Sequence, residues 1–318
     1  MKDIDISFII PIYNTENYIK KCVLSIIQNC PAINYEILLI NDGSNDNSAS
    51  ICNTLSVEYT NVRTIHINNS GVSNARNIGI KESNGKWISF IDSDDFIKEG
   101  LDFVSQFFQD PEIELIHYGW TYIHNTMRHC PVSDKTEILT CEELFKRKIF
   151  HGYVWSYIFK KEILSRYQIS FSTDMKYAED WEFIFKYYSF LEKKIVLLHQ
   201  CIYNQVCREG SATNQKLGHK YIHDNFKMYK IVLSLSNKNS SFFKKCSKHH
   251  LYSINIWMVN NVIYKDYNTL ISEYRHNVNF LLKSNITFSL SPIIYLPIIF
   301  KNKFIYLSYI SFYHKIRQ

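Results

Sequence analysis

Four short apolar runs punctuate the first hundred residues: Ile6 to Ile10, Glu36 to Ile40, Val62 to Ile67 and Trp87 to Ile91. Each gives way to a polar turn and then to a stretch with helical spacing, so the unit repeats about every 25 to 30 positions. This alternation limits the fold more than any other feature, because strand, helix, strand in that order specifies a parallel sheet. Between the first two runs, Ile19, Cys22, Val23, Ile26 and Ile27 form the stripe that a helix buries against such a sheet. Open parallel sheets bind their ligands beyond the carboxyl ends of the strands. The residues there are Pro11-Ile12-Tyr13-Asn14, Asn41-Asp42-Gly43-Ser44, Asn68-Asn69-Ser70-Gly71 and Asp92-Ser93-Asp94-Asp95. Pro11 and Asn14 occupy the first turn, where a dinucleotide fold needs glycines, and the chain contains no GxxxxGK[ST] loop. Dehydrogenase and P-loop chemistry are set aside on that ground.

Charge is distributed unevenly. From Tyr274 to Gln318 there are six basic residues and no acid, so the preceding 273 residues balance at 30 against 30 and the net charge of +6 belongs to the tail. A composition of 46% hydrophobic and 21% charged residues suits a globular protein and argues against disorder or a multi-span membrane protein. The acidic N-terminus, MKDIDISFIIPIYN, has too short an apolar run for a signal peptide, which gives the expectation of a cytoplasmic protein. The eight cysteines contain no CxxC pair, so reduced, mostly buried thiols are expected rather than zinc or disulfides. The histidines show no ligand spacing.

The run WISFIDSDD places three carboxylates within four residues at the end of a buried strand. Like charges so close repel unless they share a cation. Oxygen-only ligands point to Mg²⁺ or Mn²⁺, which commonly complete their coordination with substrate phosphates. The alternative is helix capping, and Asp95 is assigned to it.

The segments FIIPIYN (8 to 14), ILLINDGSNDNS (37 to 48), NNSGVSNARNIGI (68 to 80) and WISFIDSDDFI (87 to 97) together resemble the family 2 glycosyltransferases. Weaker echoes follow at GYVWSYIFKKEIL (152 to 164), YAEDWEFIFKY (177 to 187) and YNQVCREGSAT (203 to 213). The likeness is nearest to bacterial capsule, lipopolysaccharide and O-antigen enzymes. It implies a GT-A fold, a Rossmann-like α/β domain with a mostly parallel sheet and flanking helices, followed here by a helical C-terminal region. It also implies a metal-dependent hexosyl- or N-acetylhexosaminyl-transferase that takes a sugar from a nucleotide donor, a UDP-sugar by expectation.

The resemblance further implies residue roles. Pro11, Tyr13 and Asn14 would lie against the nucleoside, and Asp42 would accept from the base unless it only starts an Asx-turn. Arg76 would meet the diphosphate, its alternative being an ordinary surface arginine. Asp92 would contact the ribose or metal-bound water beside Ser93, and Asp94 would bind the Mn²⁺ or Mg²⁺. Asp180 would be the base that deprotonates the acceptor, with Glu179 beside it; acids are also favoured in a first helical turn by the helix dipole alone. Trp155 would be an acceptor platform or a core residue, and Arg208 with Ser211 would reach phosphates or an anionic acceptor.

The expected domains are 1–215, divided into a nucleotide-sugar half (1–108) and an acceptor half (109–215), and a helical region at 216–318. Ile222, Phe226, Tyr229 and Leu233 form one helical stripe there, and Leu251, Ile254, Met258 and Val262 another. Ile286 to Phe300 is apolar but holds Pro292 and Pro297, too short and broken to cross a bilayer. Its basic, aromatic surroundings suit an anionic membrane surface or packing on the protein itself. The expected partners are therefore a nucleotide sugar, a saccharide or lipid-linked oligosaccharide acceptor and the inner face of a membrane, with no nucleic acid, since the basic residues form no patch. The rival functions are a metal-dependent nucleotidyltransferase and a non-catalytic sugar-nucleotide-binding protein.

Overall fold

A computed structural model describes residues 3–30, 32–98, 100–123, 127–147, 149, 151–207, 219–235, 272, 275 and 276. The chain forms two compact units, Met1–Asp174 with Glu179–Ser211, and Met175–Ala178 with Ala212–Gln318.

The first unit begins with the alternation expected from the sequence: β1 (Ile6–Ile12), α1 (Ile19–Asn29), β2 (Tyr35–Asp42), α2 (Ser48–Glu58), β3 (Val62–Ile67), α3 (Val72–Glu82) and β4 (Trp87–Phe90). It continues through β5 (Phe96–Ile97), α4 (Leu101–Val104), β6 (Ile113–Ile123), β7 (Met127–Cys130), β8 (Glu137–Thr140), α5 (Cys141–Lys146), β9 (Tyr157–Lys160), α6 (Lys161–Arg166), α7 (Glu179–Ser189) and β10 (Lys194–Val206). Among the described residues these strands make one ten-stranded sheet in the order β3-β2-β1-β4-β9-β6-β10-β5, with β7 on β6 and β8 on β10. The stretches expected to be donor and acceptor halves thus share one sheet.

Direction matters for the site. Strands β1 to β4 are mutually parallel where they pair. Strand β9 runs against β4 and β6 runs against β9, so β6, and β10 parallel to it, point the same way as β1 to β4. Their carboxyl ends therefore lie along one edge. The β1–β4 ladder stops after Ile91 donates its N–H to Ile9 O at 3.0 Å. The next parallel rung needs an N–H from residue 11, which is proline. The strands part at that point, and the chain leaving β4 runs along α1, where Ile97 N–H donates to Ser25 Oγ at 3.0 Å, so the acid loop sits beyond the carboxyl ends of the strands, where open α/β sheets hold ligands.

The core is made by the buried runs Phe8–Ile12 and Ile37–Ile40, by α1 through Ile19, Cys22, Val23 and Ile26, and by an aromatic cluster of Phe90, Phe159, Phe171 and Phe183. Gly79 lets α3 lie against β1: a Cβ there would sit 2.3 Å from Ile9 Cγ2. Arg76, one turn earlier, is consequently carried to the carboxyl edge. Cys22, Cys30 and Cys52 are buried, Cys130, Cys141, Cys201 and Cys207 half-buried, and all seven are free thiols.

In the second unit, α8 (His219–Leu235) is the helix expected from the Ile222 stripe. Its Asp224 is fully buried and accepts the backbone N–H groups of Lys176 (2.8 Å) and Tyr177 (3.2 Å). Arg208, Ser211, the Leu251 stripe and nearly all of the basic aromatic tail lie outside the described residues. Among the described residues no helix is long and apolar enough to cross a membrane.

Candidate active site

The loops after β1 and β2 are tied together by their own polar side chains. Asn14, with φ of 51°, donates its N–H to Ser44 Oγ (3.1 Å), and its Oδ1 accepts from Asn45 N–H (2.8 Å). Thr15 N–H donates to Ser48 Oγ (3.0 Å), and Glu16 and Asp46 cap each other's loops at 2.8 to 3.1 Å. Pro11 is buried in β1, while Tyr13 stands 47% exposed on this rim. Asp42 is buried. It clamps the β3–α3 loop by accepting Ser70 N–H (2.7 Å), Ser70 Oγ–H (3.2 Å) and Gly71 N–H (2.8 Å). The side chain that bonds within this segment is instead that of Asn41, whose Oδ1 accepts from Ser44 N–H, three residues on, at 3.3 Å.

Arg76 is the centre of the arrangement. It is 4% exposed; Nη1 donates to Asp180 Oδ1 at 2.7 Å and Nη2 to Asp92 Oδ1 at 3.0 Å. The surface-arginine alternative fails on that burial. One planar fork thus joins an acid at the end of β4 to an acid in the first turn of α7, 104 residues from Arg76. The link is built from below. Asn77 exchanges two hydrogen bonds with the Phe171 backbone (2.9 and 2.8 Å), and the Phe171 ring stacks on Phe183 of α7 at 4.0 Å and 5°. Ser172 donates to buried Glu182, which pairs with Lys186 at 2.7 Å. The start of α7 is thereby fixed against α3, and Arg76 Cζ lies 5.3 Å from the centre of the Phe171 ring.

Burial sets the charges. It raises Asp92 to about 6; Arg76 opposes that rise, and Asp94 and Asp180 add to it. Burial also raises Asp180 above its ordinary range, against the pull of Arg76 and of the Val154 N–H. Glu179 is raised to about 8 by burial and by Asp180. The same acids hold the Arg76 guanidinium still more firmly protonated, against its own burial.

Ser93 is buried and its Oγ accepts from Thr15 Oγ1 (3.0 Å), so the acid loop is tied to the β1 loop. Asp94 is half-buried at the centre of that loop. Among the described residues no group of three or more His, Cys, Asp or Glu is placed to hold a metal ion. The donor set fits a cation of the Mg²⁺ or Mn²⁺ kind all the same, because such ions take one or two carboxylates and draw their other ligands from phosphate and water. Asp94 and Asp92 are the residues that would hold it.

One expectation needs correction, and one pair of alternatives is decided. Asp95 caps no helix; two-residue β5 follows it, and its carboxylate, 4% exposed, accepts the Tyr203 hydroxyl (2.6 Å) and the Val206 N–H (2.7 Å). Trp155 is no exposed platform. It is 3% exposed and stacked with Tyr153 (4.8 Å, 13°) and Tyr203 (4.4 Å, 10°), so packing fixes its place. Reading the sequence also missed Tyr203 and Gly152. Tyr203 lies within the family-like segment YNQVCREGSAT, and an aromatic in a strand beside that motif was the available signal.

Comparison with known proteins follows the same lines. Residues 7–152 match the family described as Glycosyl transferase family 2. The chain is 29% identical over 187 residues to the glycosyltransferase EpsJ of Bacillus subtilis, covering 56% of this chain and 54% of EpsJ. It is 32% identical over 209 residues to a poly(ribitol-phosphate) beta-glucosyltransferase of Bacillus spizizenii, covering 64% of this chain and 33% of that protein. The match thus spans about half the length of the first relative and about a third of the second. In three dimensions the chain is similar to S. aureus TarS 1-349 in complex with UDP-GlcNAc, with a TM-score of 0.74, 19% identity and coverage of 86% of this chain and 81% of TarS 1-349. At that identity the likeness speaks for the fold. Residues 7–152 thus carry the match to glycosyl transferase family 2, and the fold around them is of the GT-A kind.

Proposed function

We propose that this protein is an inverting glycosyltransferase that moves a hexosyl or N-acetylhexosaminyl group from a nucleotide sugar, a UDP-sugar first of all, to a hydroxyl of a surface-polymer acceptor. The observation that carries the reading is the Arg76 fork, because it brings a donor-side acid, Asp92, and a candidate base, Asp180, to one guanidinium. The names of relatives support an acceptor of the cell-surface polymer kind, one acting on poly(ribitol-phosphate) and another, of 32% identity, being a minor teichoic acid biosynthesis protein. A lipid-linked oligosaccharide fits the same chemistry.

In this account Tyr13 and Asn14 form the rim against the nucleoside, and Asp42 fixes the neighbouring loop. A divalent cation, when bound, neutralises charge on the leaving diphosphate. Asp180 accepts the proton of the acceptor hydroxyl as its oxygen bonds to the anomeric carbon. The bond from that carbon to the diphosphate breaks on the opposite side, and the nucleoside diphosphate leaves with the electron pair. Burial raises the Asp180 pKa and Arg76 limits that rise, which favours the ionised base for this step.

The test is a panel of nucleotide sugars with Mn²⁺ or Mg²⁺ and polyol-phosphate or lipid-linked acceptors. Release of nucleoside diphosphate with loss of the donor sugar is the expected result. Pyrophosphate release from a nucleoside triphosphate would replace this reading with a nucleotidyltransferase, and binding without turnover across the panel would leave a binding protein.

A further inference from the structure

Tyr203 lies on β10 and is fully buried, its ring stacked on Trp155. Its hydroxyl does two things at once: it donates to Asp95 Oδ2 at 2.6 Å and accepts the Asp92 backbone N–H at 3.1 Å. Asp95 Oδ1 takes the Val206 N–H at 2.7 Å, and Asp95 N–H closes back on Asp92 O at 3.0 Å. The tetrapeptide that carries Asp92 and Asp94 is therefore bound at both ends to β10, through one phenol and one backbone amide. Ring and hydroxyl serve different purposes. The ring packs in the core, whereas both bonds of the hydroxyl go to the acid loop.

We propose that Tyr203 is a positioning residue for the candidate metal and nucleotide site, its hydroxyl fixing the backbone at Asp92 and so the directions in which the Asp92 and Asp94 carboxylates leave the loop. The proposal rests on the glycosyltransferase reading for the identity of the ligand, and on the hydrogen bonds alone for the hold on the loop. A loop free to rotate about Asp92 has to be ordered at the moment a cation binds, and that ordering weakens binding.

Tyr203→Phe keeps the ring and its stack and removes only the hydroxyl. Two measurements on the full chain test it: amide hydrogen exchange of residues 92 to 95 without metal, and titration of Mn²⁺ in the presence of UDP. Faster exchange at 92 to 95, with Mn²⁺ affinity lowered roughly tenfold or more, is the expected result. Parental exchange in that loop, or parental Mn²⁺ affinity, overturns the proposal, as does faster exchange spread evenly over the whole sheet. Should Tyr203→Phe fail to fold, Asp95→Asn carries the same comparison, because it replaces one of the two carboxyl oxygens that the phenol and the Val206 amide bond to. If the parent itself binds no Mn²⁺ with UDP, the UDP-donor and manganese part of the glycosyltransferase reading fails, and exchange at 92 to 95 still decides whether the hydroxyl holds the loop.

Discussion

Arg76 donates to two carboxylates at once, and this dual pairing opposes the effect of burial on the candidate base. Burial drives the Asp180 pKa up while the guanidinium pulls it down. The base must be ionised to work, so activity should rise with pH through the Asp180 pKa. Arg76→Lys keeps a positive charge but replaces the fork with a compact ammonium that cannot meet both acids in line. With less opposing pull, the Asp180 pKa should rise, and the acid limb of the kcat–pH profile should move to higher pH. An unmoved limb would show that the fork does not tune the base. The pairing was out of reach for sequence reading: Arg76 and Asp180 were each singled out by local motifs, but nothing local joins residues 104 apart. Trp155 stayed open between platform and core for a related reason, since residue type does not tell whether a ring ends in solvent or between two tyrosines.

Among the elements, the βα series and the start of α7 were legible because each is a local pattern: a β-branched run, a polar turn, an apolar stripe. What fixes α7 was not. Gly152 precedes Val154, whose N–H faces Asp180, and Trp181 follows Asp180 directly. A Cβ on Gly152 would lie 2.0 Å from Trp181 Cε2, so glycine there admits the indole against the backbone. Gly152→Ala should cost about 1–3 kcal/mol, the usual effect of overpacking, read as a lower denaturation midpoint. It should also lower turnover by shifting the first turn of α7. Trp181→Phe in the same chain should recover part of the stability. Full parental stability of the single variant would contradict the contact.

For the whole molecule, the sequence separates a first stretch of 273 residues, balanced at 30 against 30, from a basic, aromatic end. The sequence after Tyr274 contains Arg275, Lys283, Lys301, Lys303, Lys315 and Arg317 and no Asp or Glu. We propose that this end meets an anionic membrane surface. Full-length protein should then sediment with vesicles containing acidic phospholipid and be released by salt, while a chain ending at Lys283 should remain in solution. Equal sedimentation of the two would favour a tail packed on its own protein. The central claim is narrower. It holds that donor and acceptor chemistry converge at Arg76 but remain separable, Asp92 and Asp94 serving the donor and Asp180 the proton. The ion pair adds a structural consequence, because Asp180→Asn keeps an oxygen for Arg76 but leaves that buried guanidinium with one carboxylate instead of two, so some stability loss accompanies the change. The direct measurement is therefore Asp180→Asn, held below its melting temperature, with Mn²⁺-dependent UDP binding and sugar transfer followed side by side. The account predicts near-parental binding with turnover reduced roughly 10² to 10⁴-fold. Transfer at the parental rate, or binding lost in step with turnover, would contradict it.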